Sequence, residues 1–119
     1  MVTRALVADD DQLMRTLITL TLGTVGITDV VETGSGEEAL RLFAERPFDL
    51  ILIDWYMPGR SGLDVLRTIR VWGFEVPVIM VTAEAERGQV LQAIQAGATN
   101  YLIKPFEADT LRAKVEKYA

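Results

Sequence analysis

Short runs of large aliphatic residues alternate along this chain with stretches in which apolar residues return every three or four positions. Ala5-Leu6-Val7-Ala8 is the first run, and it stops at Asp9-Asp10-Asp11. Leu13, Met14, Leu17, Ile18, Leu20 and Val25 then recur at helical spacing, with Asp11 placed as N-cap and Gly26 as the stop. Val30-Val31 forms the core of a second short strand. Ser35-Gly36-Glu37-Glu38 reads as a capping box, in which Ser35 and Glu38 each satisfy an orphan amide of the helix start. That helix carries Ala39, Leu40, Leu42 and Phe43 and ends before Pro47. Leu50 to Asp54 is a third strand, and Ser61 to Arg70 a helix with Leu63, Leu66 and Ile69 inward. Val78 to Val81 is a fourth strand, ending at Thr82. A helix runs from about Ala85 to Ala96, closed by Gly97. Tyr101-Leu102-Ile103 is the fifth strand and ends at Lys104-Pro105. Glu107 to Tyr118 is the last helix, with Leu111 and Val115 inward.

Strands that alternate strictly with helices imply a parallel sheet covered on both faces. Right-handed crossovers leave few topologies. The expected fold is α/β: a doubly wound five-stranded parallel sheet with helices on both faces, in the order 2-1-3-4-5 known from flavodoxin-like proteins.

One carboxylate breaks this pattern. Leu50-Ile51-Leu52-Ile53 reads as a strand buried on both faces, yet Asp54 follows at once and Pro58-Gly59 closes the loop behind it. An unpaired buried charge is very costly, so a casual acid is not expected there. Asp54 should sit at the C-terminal mouth of a central strand, where ligands gather in open α/β sheets.

Composition narrows the chemistry. The 119 residues make one domain, residues 1–119, and half of them are hydrophobic. Seventeen acids against twelve Lys and Arg give a net charge of −5, which argues against direct nucleic-acid binding. The chain has no Cys and no His. Disulfides, thiol catalysis, Cys-ligated zinc and any histidine base or ligand are thereby removed, and a cytoplasmic protein is expected. No apolar run reaches membrane-spanning length, and the N-terminus does not read as a signal peptide.

Four strands end in a polar or charged side chain: Asp9, Asp10 and Asp11 on the first, Asp54 on the third, Thr82 on the fourth and Lys104 on the fifth. A parallel sheet brings these ends to one edge. Crowded carboxylates repel, and a divalent cation resolves the repulsion. Hard oxygen donors suit Mg²⁺, which is usually held by one or two carboxylates plus a phosphate. A carboxylate beside Mg²⁺ is also a plausible phosphoryl acceptor. Lys104 and the Thr82 hydroxyl would meet the phosphoryl oxygens. Each residue alone has a plainer explanation: an N-cap, a surface lysine, a strand end. Their coincidence on one sheet edge favours a site for phosphoryl transfer onto Asp54.

The residues also match a family pattern. Leu6-Val7-Ala8-Asp9-Asp10 with Met14-Arg15, Asp54-Trp55-Tyr56-Met57-Pro58 with Gly62-Leu63, Val81-Thr82-Ala83-Glu84-Ala85, Gln95-Ala96-Gly97-Ala98, and Tyr101 with Lys104-Pro105-Phe106 occur in order. Over its whole length the chain resembles a response-regulator receiver domain, most nearly the chemotaxis members of that family. The resemblance implies a two-component signalling switch, not a turnover enzyme, that catalyses only its own phosphorylation and dephosphorylation. Asp54 would accept the phosphoryl group from a histidine kinase or a small acyl phosphate. Asp9 and Asp10 would hold Mg²⁺ with Asp54 and the backbone carbonyl of Tyr56, leaving Asp11 as a cap. Thr82 and Lys104 would bind the phosphoryl group, and the small Ala83 would leave room for it. Tyr101 resembles the aromatic that turns inward with Thr82, and the bond before Pro105 would be cis.

Downstream, the resemblance implies an output face on the fourth helix, fifth strand and fifth helix that meets a target protein or an output domain. Arg87, Val90, Tyr101, Lys114 and Lys117 are its candidates; basic residues there are otherwise simply a solvated face. A monomer or weak dimer with no membrane contact is expected, either stand-alone or cut from a longer regulator. Tyr56 is bulky where the nearest relatives carry a small amide, and with Glu84 it flanks the path of attacking water. Ser61 stands where an acid is common and reads as a helix cap.

Three rival readings use the same residues. A haloacid-dehalogenase-like phosphatase would place its nucleophile on the first strand with a second Asp two residues later, where Tyr56 stands beside Asp54. A flavodoxin-like binding module needs a hydroxyl- and glycine-rich loop after the first strand, whereas Asp9-Asp10-Asp11 would repel a phosphate without metal. A degenerate receiver would bind partners unphosphorylated, but every required residue type is present.

Overall fold

The computed structural model describes residues 4–83 and 87–119, with the side chain of Arg87 left aside. Five strands and five helices alternate: β1 (Ala5–Ala8), α1 (Gln12–Thr24), β2 (Val30–Thr33), α2 (Gly36–Glu45), β3 (Leu50–Ile53), α3 (Gly62–Val71), β4 (Val78–Thr82), α4 (Arg87–Gln95), β5 (Asn100–Ile103) and α5 (Ala108–Val115). The strands form one parallel sheet in the order β2-β1-β3-β4-β5, as the alternation predicts.

The two-residue period of a strand divides the core between the two faces of this sheet. Ala5, Val7, Leu50, Leu52, Ile79 and Val81 point to one face and meet Ile18 and Leu22 of α1 and Leu111 and Val115 of α5. Leu6, Ala8, Ile51, Ile53, Val78 and Met80 point to the other face. They meet Phe43 of α2, Leu66 and Ile69 of α3 and Ala93 of α4. Both faces of the central strands are therefore covered by apolar residues, which is why β1, β3 and β4 read as largely aliphatic runs.

Local signals set most boundaries. Asp11 caps α1 by accepting from Leu13 N at 3.0 Å. Ser61 caps α3 by accepting from Asp64 N at 3.1 Å. Gly26 and Gly97 adopt φ of 89° and 103°, the left-handed region that glycine occupies without a Cβ penalty.

Four details differ from the sequence pattern. Ser35 accepts from Glu38 N at 3.0 Å, but Glu38 does not complete the capping box; its carboxylate accepts from the Thr33 hydroxyl instead. Thr33 Oγ1 in turn accepts from Ser35 N at 3.3 Å, so the strand end supplies the missing acceptor. Leu13 is 81% and Leu20 66% exposed, because α1 turns only Ile18, Thr21 and Leu22 fully inward. β3 ends at Ile53, one residue before Asp54. α5 ends at Val115 and tightens into a 3₁₀ turn over Glu116–Tyr118.

The N-terminal edge of the sheet carries aromatic residues. Phe43 meets Phe74 edge-on at 5.0 Å and stacks with Trp72 at 6.5 Å. Trp55 lies at the opposite edge, just beyond β3, buried beside the Tyr56 ring at 6.5 Å.

Candidate functional site

The hydrogen bonds of the sheet continue one residue past its strands, and this places the site. Asp9 N donates to Thr33 O at 3.0 Å and Asp54 N to Ala8 O at 3.0 Å, while Lys104 N donates to Thr82 O at 2.9 Å. Asp9, Asp54 and Lys104 are thus fixed by backbone at the C-terminal ends of β1, β3 and β5. The peptide bond between Lys104 and Pro105 is cis, as the resemblance implies.

The side chains converge. Lys104 Nζ lies 2.6 Å from Asp9 Oδ2 and 2.9 Å from Asp54 Oδ2. Asp9 and Thr82 are each 1% exposed, and Asp54 is 8% exposed. Asp10 completes a group in which Asp9, Asp10 and Asp54 each offer a carboxylate oxygen, all within 4.8 Å of one another.

Burial and pairing oppose each other in the electrostatics of this site. Burial pushes the Asp9 carboxyl above the usual carboxylate range, against the opposing hydrogen bonds from Lys104 and Asp11 N, and the charge of Asp54 pushes the same way as burial. For Lys104, burial works against the ammonium, but hydrogen bonds to Asp9 and Asp54 outweigh it and raise its pKa. Three carboxylates thus face one ammonium. Among the described residues this donor set consists of hard oxygens with no soft ligand, which fits Mg²⁺ chemistry.

Two supports escape a reading from residue type alone. Arg15 Nη1 donates to Asp9 O at 2.6 Å, and its Nε lies 3.3 Å from Glu32 Oε1, so α1 and β2 brace the loop that carries Asp9 and Asp10. Gly62 N donates to Trp55 O at 2.7 Å, and a Cβ on Gly62 would collide with the carbonyl oxygen of Asp54. Only glycine lets the α3 start close on the Asp54 loop. Both residues belong to quoted motif segments, but nothing in their type states the role.

The remaining candidates lie around this centre. Tyr56 is 55% exposed, and its hydroxyl accepts from Gln89 Nε2 at 3.3 Å. Ala83 is exposed just past β4. Tyr101 is half-buried on β5 and packs against the cluster that holds Ala93. Val90 is half-buried on α4. Lys114 Nζ donates to Asn100 Oδ1 at 3.2 Å, tying α5 to β5. Lys117 lies in the 3₁₀ turn, 5.5 Å from the Tyr118 ring centroid, and lines a cavity with Phe48 and Pro77 at the N-terminal edge of the sheet. It therefore stands at the edge opposite the acidic pocket. Glu84 and the side chain of Arg87 lie outside the described residues.

Comparison with known proteins agrees with this arrangement. Residues 5–116 match the family model described as the response regulator receiver domain. The chemotaxis protein CheY of Pseudomonas aeruginosa is 41% identical over 116 residues, covering 96% of this chain and 94% of that protein. The receiver domain of Francisella response regulator 1452 superposes with a TM-score of 0.90 at 33% identity, covering 98% of this chain and 95% of that one. The BeF₃-activated DrrB receiver domain superposes with a TM-score of 0.87 at 30% identity, covering 99% and 97%. The chain belongs to the response regulator receiver domain family, the signalling switches of two-component systems whose standard function is phosphorylation on an aspartate.

Proposed function

We propose that Asp54 is the phosphoryl acceptor of this receiver. The observation that carries the reading is a buried carboxylate at the mouth of a central strand, held 2.9 Å from a lysine that also pairs with Asp9. The Asp54 carboxylate attacks the phosphorus of a phosphohistidine or acyl phosphate. The donor's bond to phosphorus breaks, its leaving group keeps the electron pair, and an aspartyl phosphate forms. Lys104 exchanges carboxylate partners for a phosphoryl oxygen, and the Thr82 hydroxyl donates to another. Asp9, Asp10, Asp54 and the carbonyl of Tyr56 would hold Mg²⁺, which would supply positive charge against the developing negative charge. Water returns Asp54 to its carboxylate and releases inorganic phosphate. The protein catalyses only these two steps on itself.

Residues 1–119 act as one receiver, in the cytoplasm, as a monomer or weak dimer. No helix among the described residues is long and apolar enough to cross a membrane. The phosphodonor is a histidine kinase. α4, β5 and α5 meet a target protein or output domain through Arg87, Val90, Tyr101, Lys114 and Lys117. Similarity to a chemotaxis protein favours a chemotaxis pathway. Thr82 and Tyr101 form the switch, with Tyr56, Ala83 and Glu84 modulating the site.

Intact mass after incubation with Mg²⁺ and a small acyl phosphate tests the acceptor. A single phosphoryl adduct on the parent, absent from Asp54→Asn and from a metal-free control, is expected. An adduct that survives in Asp54→Asn would remove Asp54 from this role.

A further inference from the structure

Arg15 stands one turn into α1, where its backbone N donates to Asp11 O at 3.0 Å. Helix side chains lean toward the N-terminus, so Arg15 reaches back over the loop that leaves β1. Its Nη1 donates to Asp9 O at 2.6 Å, and its Nε lies 3.3 Å from Glu32 Oε1 on β2. Glu32 is held in turn, because its Oε2 accepts from the Thr19 hydroxyl at 3.0 Å. Gly34 leaves the guanidinium its room: a Cβ there would stand 3.3 Å from Arg15 Nη1.

The carbonyl that Arg15 grips belongs to the planar peptide unit joining Asp9 to Asp10, so fixing it orients the backbone on which Asp10 stands. Asp9 has other anchors. Its N donates to Thr33 O at 3.0 Å, its Oδ1 accepts from Asp11 N at 2.9 Å, and its Oδ2 lies 2.6 Å from Lys104 Nζ. Asp10 is exposed, and its side chain makes no hydrogen bond or ion pair with any described residue. Its place among the three carboxylates is therefore set through the backbone, and Arg15 is the side chain that pins that peptide.

We propose that Arg15, aimed by Glu32, is a positioning residue for divalent-cation binding by Asp9, Asp10 and Asp54. The proposal rests on the reading that these carboxylates hold Mg²⁺; the brace itself does not. Charge and position predict opposite signs. A cation near three carboxylates repels Mg²⁺, so removing it for charge alone would tighten binding. Removing it as a positioner weakens binding, because groups that orient metal ligands are worth tenfold or more in affinity.

Calorimetric titration of the full chain with Mg²⁺ tests this, with urea unfolding in the absence of metal to establish that each variant is folded. Arg15→Met should weaken Mg²⁺ binding by about tenfold. Arg15→Lys keeps the charge but loses the planar fork, and should weaken it in the same direction; it serves alone if Arg15→Met does not fold. Affinity equal to or tighter than the parent's in a folded Arg15 variant overturns the proposal. Glu32→Ala should weaken binding in the parent and add nothing in the Arg15 variant. An equal loss in both backgrounds would mean that the Glu32 charge acts through space, and overturns the aiming. A parent that binds no Mg²⁺, or an Asp10→Asn variant that binds it as tightly as the parent, overturns the metal reading instead.

Discussion

Lys104 and Asp9 stand 95 residues apart in the chain, yet their side chains meet at 2.6 Å. The lysine offsets two buried carboxylates at once, because Asp54 lies 2.9 Å from the same nitrogen. Removing one partner of a buried ion pair leaves an uncompensated charge, at a cost of about 3–5 kcal/mol. Lys104→Met should therefore destabilise the metal-free protein by about 3 kcal/mol at neutral pH. The loss should shrink in acid. A carboxyl with a raised pKa favours the folded state fully below its ordinary value of 3.8, and that contribution is lost as pH rises through the raised value. In acid Asp9 is neutral, and the absent lysine matters less. Urea unfolding of both proteins at neutral and acidic pH measures the difference; a loss independent of pH would contradict it.

Mg²⁺ should stabilise the fold, because the native state concentrates three carboxylates that could hold it and the unfolded chain does not. At a concentration a hundredfold above Kd the gain is about 2.7 kcal/mol. Asp10→Asn should abolish most of it while leaving the metal-free fold intact, since Asp10 is exposed. Thermal melts with and without Mg²⁺ read this directly, and an equal shift in parent and Asp10→Asn would exclude Asp10 as a ligand.

Tyr56→Asn should change the dephosphorylation rate. The bulky ring stands two residues beyond Asp54 and is 55% exposed, so a smaller side chain should admit water and speed hydrolysis several-fold without loss of core packing. Equal decay of the phosphoryl adduct in parent and variant would remove Tyr56 from the water path.

Gly62→Ala should damage both stability and acceptor geometry. Its added methyl would meet the Asp54 carbonyl oxygen, which is backbone and cannot step aside cheaply. Overpacking of this kind costs about 1–3 kcal/mol. Denaturation would show the loss, and adduct formation should slow; normal phosphorylation with normal stability would mean that the loop yields.

The central strands were legible because burial on both faces keeps polar residues out of β1, β3 and all of β4 but its last position, Thr82. Asp54 stood out against that background. Asp9 and Lys104 were legible only jointly, since an acid before a helix and a lysine before proline are each commonplace. Leu13 and Leu20 misled because helical spacing reports a face without saying whether anything covers it. Glu38 took Thr33 as partner because a strand end happened to arrive there, a tertiary contact that a local capping motif does not contain. Gln89 carries no signal in its own neighbourhood, as its meaning depends on a tyrosine 33 residues earlier.

The two tryptophans occupy opposite edges of the sheet, and they differ in solvent contact: Trp55 is 7% and Trp72 46% exposed. The chain thereby contains a paired optical probe. Trp55, next to Asp54, should emit toward the blue and respond to whatever enters the acidic pocket. Trp72, among Phe43 and Phe74, should emit toward the red and stay constant. Single-tryptophan variants would assign each emission, and the parent with both tryptophans would then give a ratiometric readout, with one signal from the site and an internal reference from its far side.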